Sequence, residues 1–362
     1  MILPDDYFYM SRALALAQRG LYSTDPNPRV GCVLVRDGKV VGEGWHERAG
    51  EKHAEINALN IAGTRARGVT AYVTLEPCCY HGCTPPCTDA LLMAGISRIV
   101  VSMSDPNPRV AGKGLEILRE AGVLVECGLL EQETQALNPG FIQRMTEGRP
   151  FVRVKMAMSI DGRTALSSGE SKWLTSTIAR QDVQRLRARA SAILTGIDTI
   201  LSDDPGLNVR LPDDKRQPLR VILDTELRTP PTAKTLHLDG SVLIFTNVSD
   251  INRQAPLLAV GANIVVVPRS GIYLDLRAVM TELANRECNE IHTECGPTLA
   301  GSLLQAGLVD EIVIYIAPFI LGDKARGLFQ LPELTRITER MELKIIEVRA
   351  IGQDWRITLR PQ

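Results

Sequence analysis

The sequence predicts an α/β protein of two domains. A chain of 362 residues exceeds what one hydrophobic core usually holds. Along most of it, apolar runs of strand length alternate with helix-length amphipathic stretches, the pattern of layered α/β structure. The alternation lapses in a polar helical stretch from Glu131 to about Gly148 and starts afresh at Phe151. The boundary therefore falls near 146–150, giving domains 1–147 and 148–362.

Each element has its own signal. Tyr7, Met10, Leu14 and Ala17 recur at helical spacing, and Gly20 ends that helix. VGCVLVR (30–36), the turn pair Asp37-Gly38 and KVVGEGW (39–45) read as a β-hairpin. A helix carrying His53, Glu55, Ile56 and Leu59 stops near Gly63. TAYVTLEP (70–77) is a strand, Pro85-Pro86 opens the helix DALLMAG, and Gly95 follows its end. RIVVSMSD, GKGLEILREAG and VLVECG continue as strand, helix and strand. In the second domain FVRVKMAMS is a strand and 176–190 a helix. AILTG, RVILD, VLIFT and NIVVV are strands, followed by a helix over 274–286. EIHTEC, GPTLAGSLLQAG and EIVIYIAP read as strand, helix and strand, and LKIIEVRAI with DWRITLR closes the chain as a hairpin. This order predicts a mostly parallel sheet with antiparallel edge strands.

Composition narrows the function. Forty-one basic and 42 acidic residues give a net charge of -1, without the basic footprint of a nucleic-acid binder. At 4% aromatic content, a groove that stacks bases is not expected either. No apolar run approaches the roughly 18 residues of a membrane span. MILPDDYFYM carries acids where a signal peptide has a basic region, so a cytoplasmic protein is expected. Half of the eight cysteines cluster and the rest scatter, which favours metal ligation over a disulfide framework. DPNPRV occurs at 25–30 and again at 105–110. Its composition suits tight turns, and Asn27 of the first copy is the better candidate for a substrate contact.

The cluster is TLEPCCYHGCTPPC, residues 74–87. A catalytic zinc takes three protein ligands and keeps a fourth position open, where its bound water acquires a pKa of about 7. His53 supplies one nitrogen, and Cys78 supplies one sulfur. The third ligand is either His81, one helical turn after Cys78, or Cys87, with eight residues between. Glu55 lies two residues after His53, too close to share the ion and well placed to move protons. A single histidine on a helix is usually a packing or surface residue. Joined to Glu55 and a Pro-Cys loop, it matches the His-x-Glu…Pro-Cys pattern of zinc nucleobase deaminases, in which the glutamate is acid and base. A structural zinc site would use four ligands and have no need of Glu55.

HAEINAL, TLEPCCYHGCTPPC and SDPNPRVAGKG together resemble the deaminase half of the bifunctional riboflavin-biosynthesis deaminase/reductase family. VKMAMSIDGRTA, SGESKWLTS, ILTGIDTILSDDPGLNVR and ECGPTLAG resemble its reductase half. The resemblance covers nearly the whole chain, apart from the regions around 212–290 and 330–350. It implies a cytidine-deaminase-like three-layer domain followed by a dihydrofolate-reductase-like domain that uses NADPH. It implies His53, Cys78 and Cys87 as zinc ligands, Glu55 as the proton carrier and a phosphoribosylated pyrimidine as substrate. Cys79, Tyr80 and Cys83 stand where the family usually has serine, histidine and arginine, so that arginine's contact is not carried over.

In the reductase half the resemblance assigns Ala157, Trp173, Thr199, Asp203 and the turn Gly296, Pro297, Thr298, Leu299, Ala300, Gly301 and Ser302 to the cofactor. Ser171, Arg187, Leu207, Arg210 and Glu294 go to the substrate, with Lys155 close by. Independently, no GxGxxG follows a strand, while the helix start at Gly296-Pro297 offers N–H groups to a phosphate. Arg187 and Arg210 carry forks suited to a phosphoribosyl group, whereas Arg185 and Arg189 are expected to be solvated. Asp203 is the acidic group expected near the carbon that receives hydride. A homodimer or larger homo-oligomer is expected from the resemblance. The rival reading is a zinc nucleoside or nucleobase deaminase fused to a non-catalytic nucleotide-binding domain.

Overall fold

The computed structural model describes residues 2–81, 85–212 and 216–362. It divides into two compact units, Met1–Gly148 and Arg149–Gln362.

The first unit runs α1 (Pro4–Ala17), β1 (Gly31–Arg36), β2 (Lys39–Trp45), α2 (Ala54–Ala62), β3 (Thr70–Val73), α3 (Cys87–Ala94), β4 (Arg98–Val101), α4 (Lys113–Glu120), β5 (Leu124–Cys127), α5 (Glu131–Leu137) and α6 (Pro139–Glu147). Asp37 and Gly38, both at positive φ, turn β1 into β2. The sheet order is β2-β1-β3-β4-β5, antiparallel on either side of β1 and parallel from β3 to β5. Alternation along β1 separates two cores. Cys32 and Leu34 pack with α2, α3 and α4, while Val33 and Val35 pack with Tyr9, Met10, Ala13 and Leu16 of α1. This is a three-layer arrangement.

Gly42 and Gly44 let α2 lie directly on β2. A Cβ at either would sit 2.3 Å from the Ala58 carbonyl or 2.4 Å from that of Ala54. β3 ends at Val73, four residues short of the expected strand. Beyond it the carboxylate of Glu76 turns aside to accept backbone N–H groups, and Pro77 has no N–H to give a ladder. The expected single polar helix is two, broken at Asn138. Pro139 starts the second as its first residue, and the Asn138 side chain bonds the backbone of Arg29 instead.

The second unit runs β6 (Phe151–Ser159), β7 (Arg163–Ala165), α7 (Thr177–Arg189), β8 (Ala192–Gly196), α8 (Ile197–Asp203), β9 (Leu219–Leu223), β10 (Val242–Thr246), α9 (Ile251–Ala259), β11 (Asn263–Val266), β12 (Arg269–Ser270), β13 (Tyr273–Leu274), α10 (Leu276–Asn285), β14 (Glu290–Glu294), α11 (Pro297–Gln305), β15 (Glu311–Ala317), β16 (Arg326–Gly327), β17 (Leu343–Ile351) and β18 (Asp354–Pro361). Nine strands form one sheet in the order β11-β10-β9-β8-β14-β6-β15-β18-β17. It is parallel until β18 and β17 close it as an antiparallel hairpin. The helices α8 and α9 are not among the elements the sequence pattern predicts. α8 has only seven residues, and α9 contains Pro256, so neither offers a long regular period. Among the described residues no helix is long and apolar enough to cross a membrane.

Candidate functional sites

In the first unit three elements meet beyond the end of β3. His53 is the N-cap of α2 rather than a residue inside it, and Glu55 lies in the first turn. Cys78 follows β3 and Pro77, and Cys87 is the first residue of α3 after the Pro86 cap. The Nδ1 of His53 lies 3.3 Å from the Sγ of Cys87 and 3.6 Å from that of Cys78. One ligand atom from each of the three falls within 4.8 Å of the others. His81 is exposed and outside this group, and Cys83 lies outside the described residues. Cys79 is half-buried and Tyr80 exposed.

The electrostatics suit a cation. The Cys87 backbone N–H, at the start of α3, donates to the Cys78 sulfur at 3.3 Å. A hydrogen bond from Cys87 first, and His53 next, holds the Cys78 thiol down to about 4. The same bond to Cys78, with burial, pushes Cys87 up. Hydrogen bonding to Cys78 raises His53. Burial lifts the Glu55 carboxyl to about 7, against the opposing pull of His53. Its Oε2 is buried without a hydrogen-bond partner. A nitrogen, two sulfurs and an orphaned carboxylate oxygen fit a zinc ion with an open position.

Asn27 reaches this site through His46, which the sequence reading did not single out. Asn27 Nδ2 lies 3.0 Å from His46 Nε2, and the His46 ring stands edge-on to that of His53 with centroids 5.4 Å apart. Burial lowers the pKa of His46. Glu76, inside the same cysteine-rich stretch, has a role that no spacing signals. Its two oxygens accept from the N–H groups of Asp105, Gly112, Gly114 and Leu115 at 2.9–3.3 Å. They thereby pin the second DPNPRV loop, itself turned by Asp105 accepting from the Asn107 N–H.

In the second unit a cavity of about 1120 Å³ opens where parallel strands end. Such a crevice beyond the carboxyl ends of the strands is the usual ligand position in open α/β sheets. Ala157, Lys155, Ser171, Trp173, Thr199, Asp203, Leu207, Arg210 and Glu294 line it, with Gly296, Pro297, Thr298, Leu299 and Ser302 at the start of α11. Ala300 and Gly301 do not. Ala300 is buried in the core, and Gly301 lies so close to the Gln330 carbonyl that a Cβ would sit 2.0 Å away. Both face away because a helix turn exposes only part of its circumference.

Arg187 lines the cavity, yet its fork is already committed. Nε and Nη2 hold both oxygens of Glu294 at 2.5 and 2.8 Å, and Nη1 donates to the Asn208 carbonyl. Arg187, followed by His292, keeps Glu294 well below the carboxylate range despite burial. Arg189 is not solvated as expected. It pairs with buried Glu290 at 2.7 Å, which also holds Arg153. Arg185 is exposed as expected. Arg210 is exposed, with Asn208 Oδ1 at 3.2 Å. Burial lowers the pKa of Lys155. Trp173 is 71% exposed with Arg180 over its ring, and Asp203 pairs with Lys172 at 3.3 Å.

Residues 150–357 match the model of the RibD C-terminal domain, and residues 4–103 that of the cytidine and deoxycytidylate deaminase zinc-binding region. The chain is 48% identical to the riboflavin biosynthesis protein RibD of Escherichia coli (strain K12), over 96% of this chain and 97% of that one. Its identity to the Haemophilus influenzae protein of the same name is 46%, over 99% and 98%. Among solved structures, form 1 of Acinetobacter baumannii RibD superposes with a TM-score of 0.93 at 44% identity, covering 99% of both chains.

Proposed function

The chain belongs to the bifunctional riboflavin-biosynthesis deaminase/reductase family, and from that premise we propose how its residues divide two reactions between two units. It deaminates 2,5-diamino-6-(5-phosphoribosylamino)pyrimidin-4(3H)-one and then reduces the ribosyl side chain to ribityl, with zinc and NADPH as cofactors. A non-catalytic second domain is set aside, because the reductase model spans nearly all of that unit.

In our reading, Met1–Gly148 carries the deamination. His53, Cys78 and Cys87 hold the zinc, which supplies a water acidic enough to attack at neutral pH. Glu55 would pass one proton of the attacking water to the ring nitrogen, then carry the second, from the hydroxyl so formed, to the amino group as it leaves as ammonia. Burial suits it to this, since a carboxyl lifted to about 7 both accepts and releases a proton near neutrality. Asn27 contacts the substrate. The observation carrying this reading is the convergence of three ligand atoms within 4.8 Å beside the unpartnered Glu55 oxygen.

The Arg149–Gln362 unit carries the reduction. NADPH supplies hydride to the sugar carbon. Ala157, Thr199, Trp173, Asp203 and the start of α11 position the cofactor, and Asp203 is the acidic group near the reacting carbon. Ser171, Leu207, Lys155 and Arg210 meet the substrate. Arg187 acts through Glu294, holding that carboxylate ionised as an acceptor for the substrate. This revises the role first given to Arg187, because the Nε–Nη2 edge that would grip a phosphate in a bidentate fork is already bonded to a carboxylate.

Metal removal tests the division. Stripping zinc with a chelator is expected to abolish ammonia release while NADPH consumption on the deaminated substrate continues. Deamination by metal-free protein would overturn the zinc assignment. We also propose a homodimer or larger homo-oligomer formed along β17, where Leu343, Ile345, Ile346 and Val348 are 37–60% exposed on a sheet edge. A cytoplasmic location is part of the same proposal, in keeping with Cys32, Cys78, Cys79, Cys87, Cys127 and Cys295 standing outside any disulfide.

A further inference from the structure

We propose that His46 fixes the side-chain amide of Asn27 so that its Oδ1 is presented to the substrate as a hydrogen-bond acceptor. The inference rests on the reading of Asn27 as a substrate contact, and it adds what chemistry that contact recognises.

The hydrogen-bond chain has one consistent direction. His46 Nδ1 lies 3.1 Å from the backbone carbonyl of Lys52. A carbonyl only accepts, so Nδ1 carries the ring proton. The neutral ring then offers Nε2 as an acceptor, and the atom 3.0 Å away must be the donor half of the Asn27 amide. With Nδ2 engaged, Oδ1 is the half left over, and it has no partner among the described residues. His46 itself is held on all sides. It is 2% exposed, its backbone N–H donates to the Val30 carbonyl, and its ring abuts His53. The Asn27 backbone N–H is likewise tied to the Thr24 carbonyl.

An oxygen so presented meets an N–H or O–H. It is repelled by phosphate oxygens, which have no proton to give. The first DPNPRV loop therefore reads an amino or hydroxyl group of the phosphoribosylated pyrimidine and sends its phosphate elsewhere. His46 is a positioning residue, one side chain removed from that contact.

A double-mutant cycle on zinc-loaded, full-length protein tests this, following ammonia release from the phosphoribosylated diaminopyrimidine and zinc per chain. His46→Ala and Asn27→Ala are each expected to raise KM about tenfold, the size of one hydrogen bond, with kcat changed less. The double variant should be no worse than either single one, since each removes the same contact. Zinc per chain should stay at one deaminase equivalent throughout. His46→Gln, whose Oε1 can accept from Asn27, should recover most of the loss. Additive losses would sink the positioning role while leaving Asn27 a substrate contact. Zinc loss in His46→Ala would make His46 a support of the metal loop instead, also overturning the proposal. An unchanged KM in Asn27→Ala would sink the underlying reading of Asn27 as a substrate contact.

Discussion

In the proposed reaction Glu55 concentrates the chemistry of the deaminase unit in one side chain. It is 3% exposed, one oxygen lacks a partner, and burial holds its carboxyl near 7. Glutamine keeps the shape and removes the proton. Glu55→Gln is therefore expected to lower kcat for ammonia release about a thousandfold while zinc content stays unchanged. A variant that deaminates at the normal rate would remove Glu55 from the mechanism. Its place beside His53 was legible in the sequence, because two residues from a histidine is a short, local spacing. The opposite holds for Arg187 and Arg189. Both lie on one helix, and sequence alone cannot say that each faces a carboxylate of β14. The partners are 107 and 101 residues away, and only the sheet brings them together.

Among elements, Glu76, three residues beyond β3, organises the loop after β4. Its carboxylate gathers four backbone N–H groups from the loop after β4 and the first turns of α4. Glu76→Ala would leave those donors buried and unpaired. It is expected to lower the unfolding free energy of the first unit by roughly 3 kcal/mol, measured in urea. A loss within experimental scatter would show that water satisfies the loop instead. Strand and helix positions were well anticipated where periodicity is strong, as in β1, β2 and α7. The misses have local causes: Pro139 splits a polar helix, and α9 hides behind Pro256. In the sequence Gly42 and Gly44 are simply two residues of the strand KVVGEGW. In the fold they let α2 approach β2 and so place His53 and Glu55.

At the scale of the whole molecule, β17 is the feature left open. Eight of its nine residues are exposed, four of them large and apolar, on the last strand of a nine-stranded sheet. Such an edge pairs readily with another copy of itself. Placing charges at Ile345 and Val348 by Ile345→Lys and Val348→Lys is expected to yield monomers in sedimentation. Wild-type protein that is already monomeric would refute the interface. The sequence by itself determined the α/β class, the division into two units, and the residue types needed for zinc chemistry. Those signals are local: periodicity, turn pairs and short spacings. Spacing left Cys87 and His81 open and the resemblance favoured Cys87; tertiary structure is what brings Cys87 beside His53 and Cys78. It also turned Arg187 toward Glu294, put His46 behind Asn27, and faced Ala300 and Gly301 inward. Each of these depends on which side of an element points where, and that is settled only when distant segments pack.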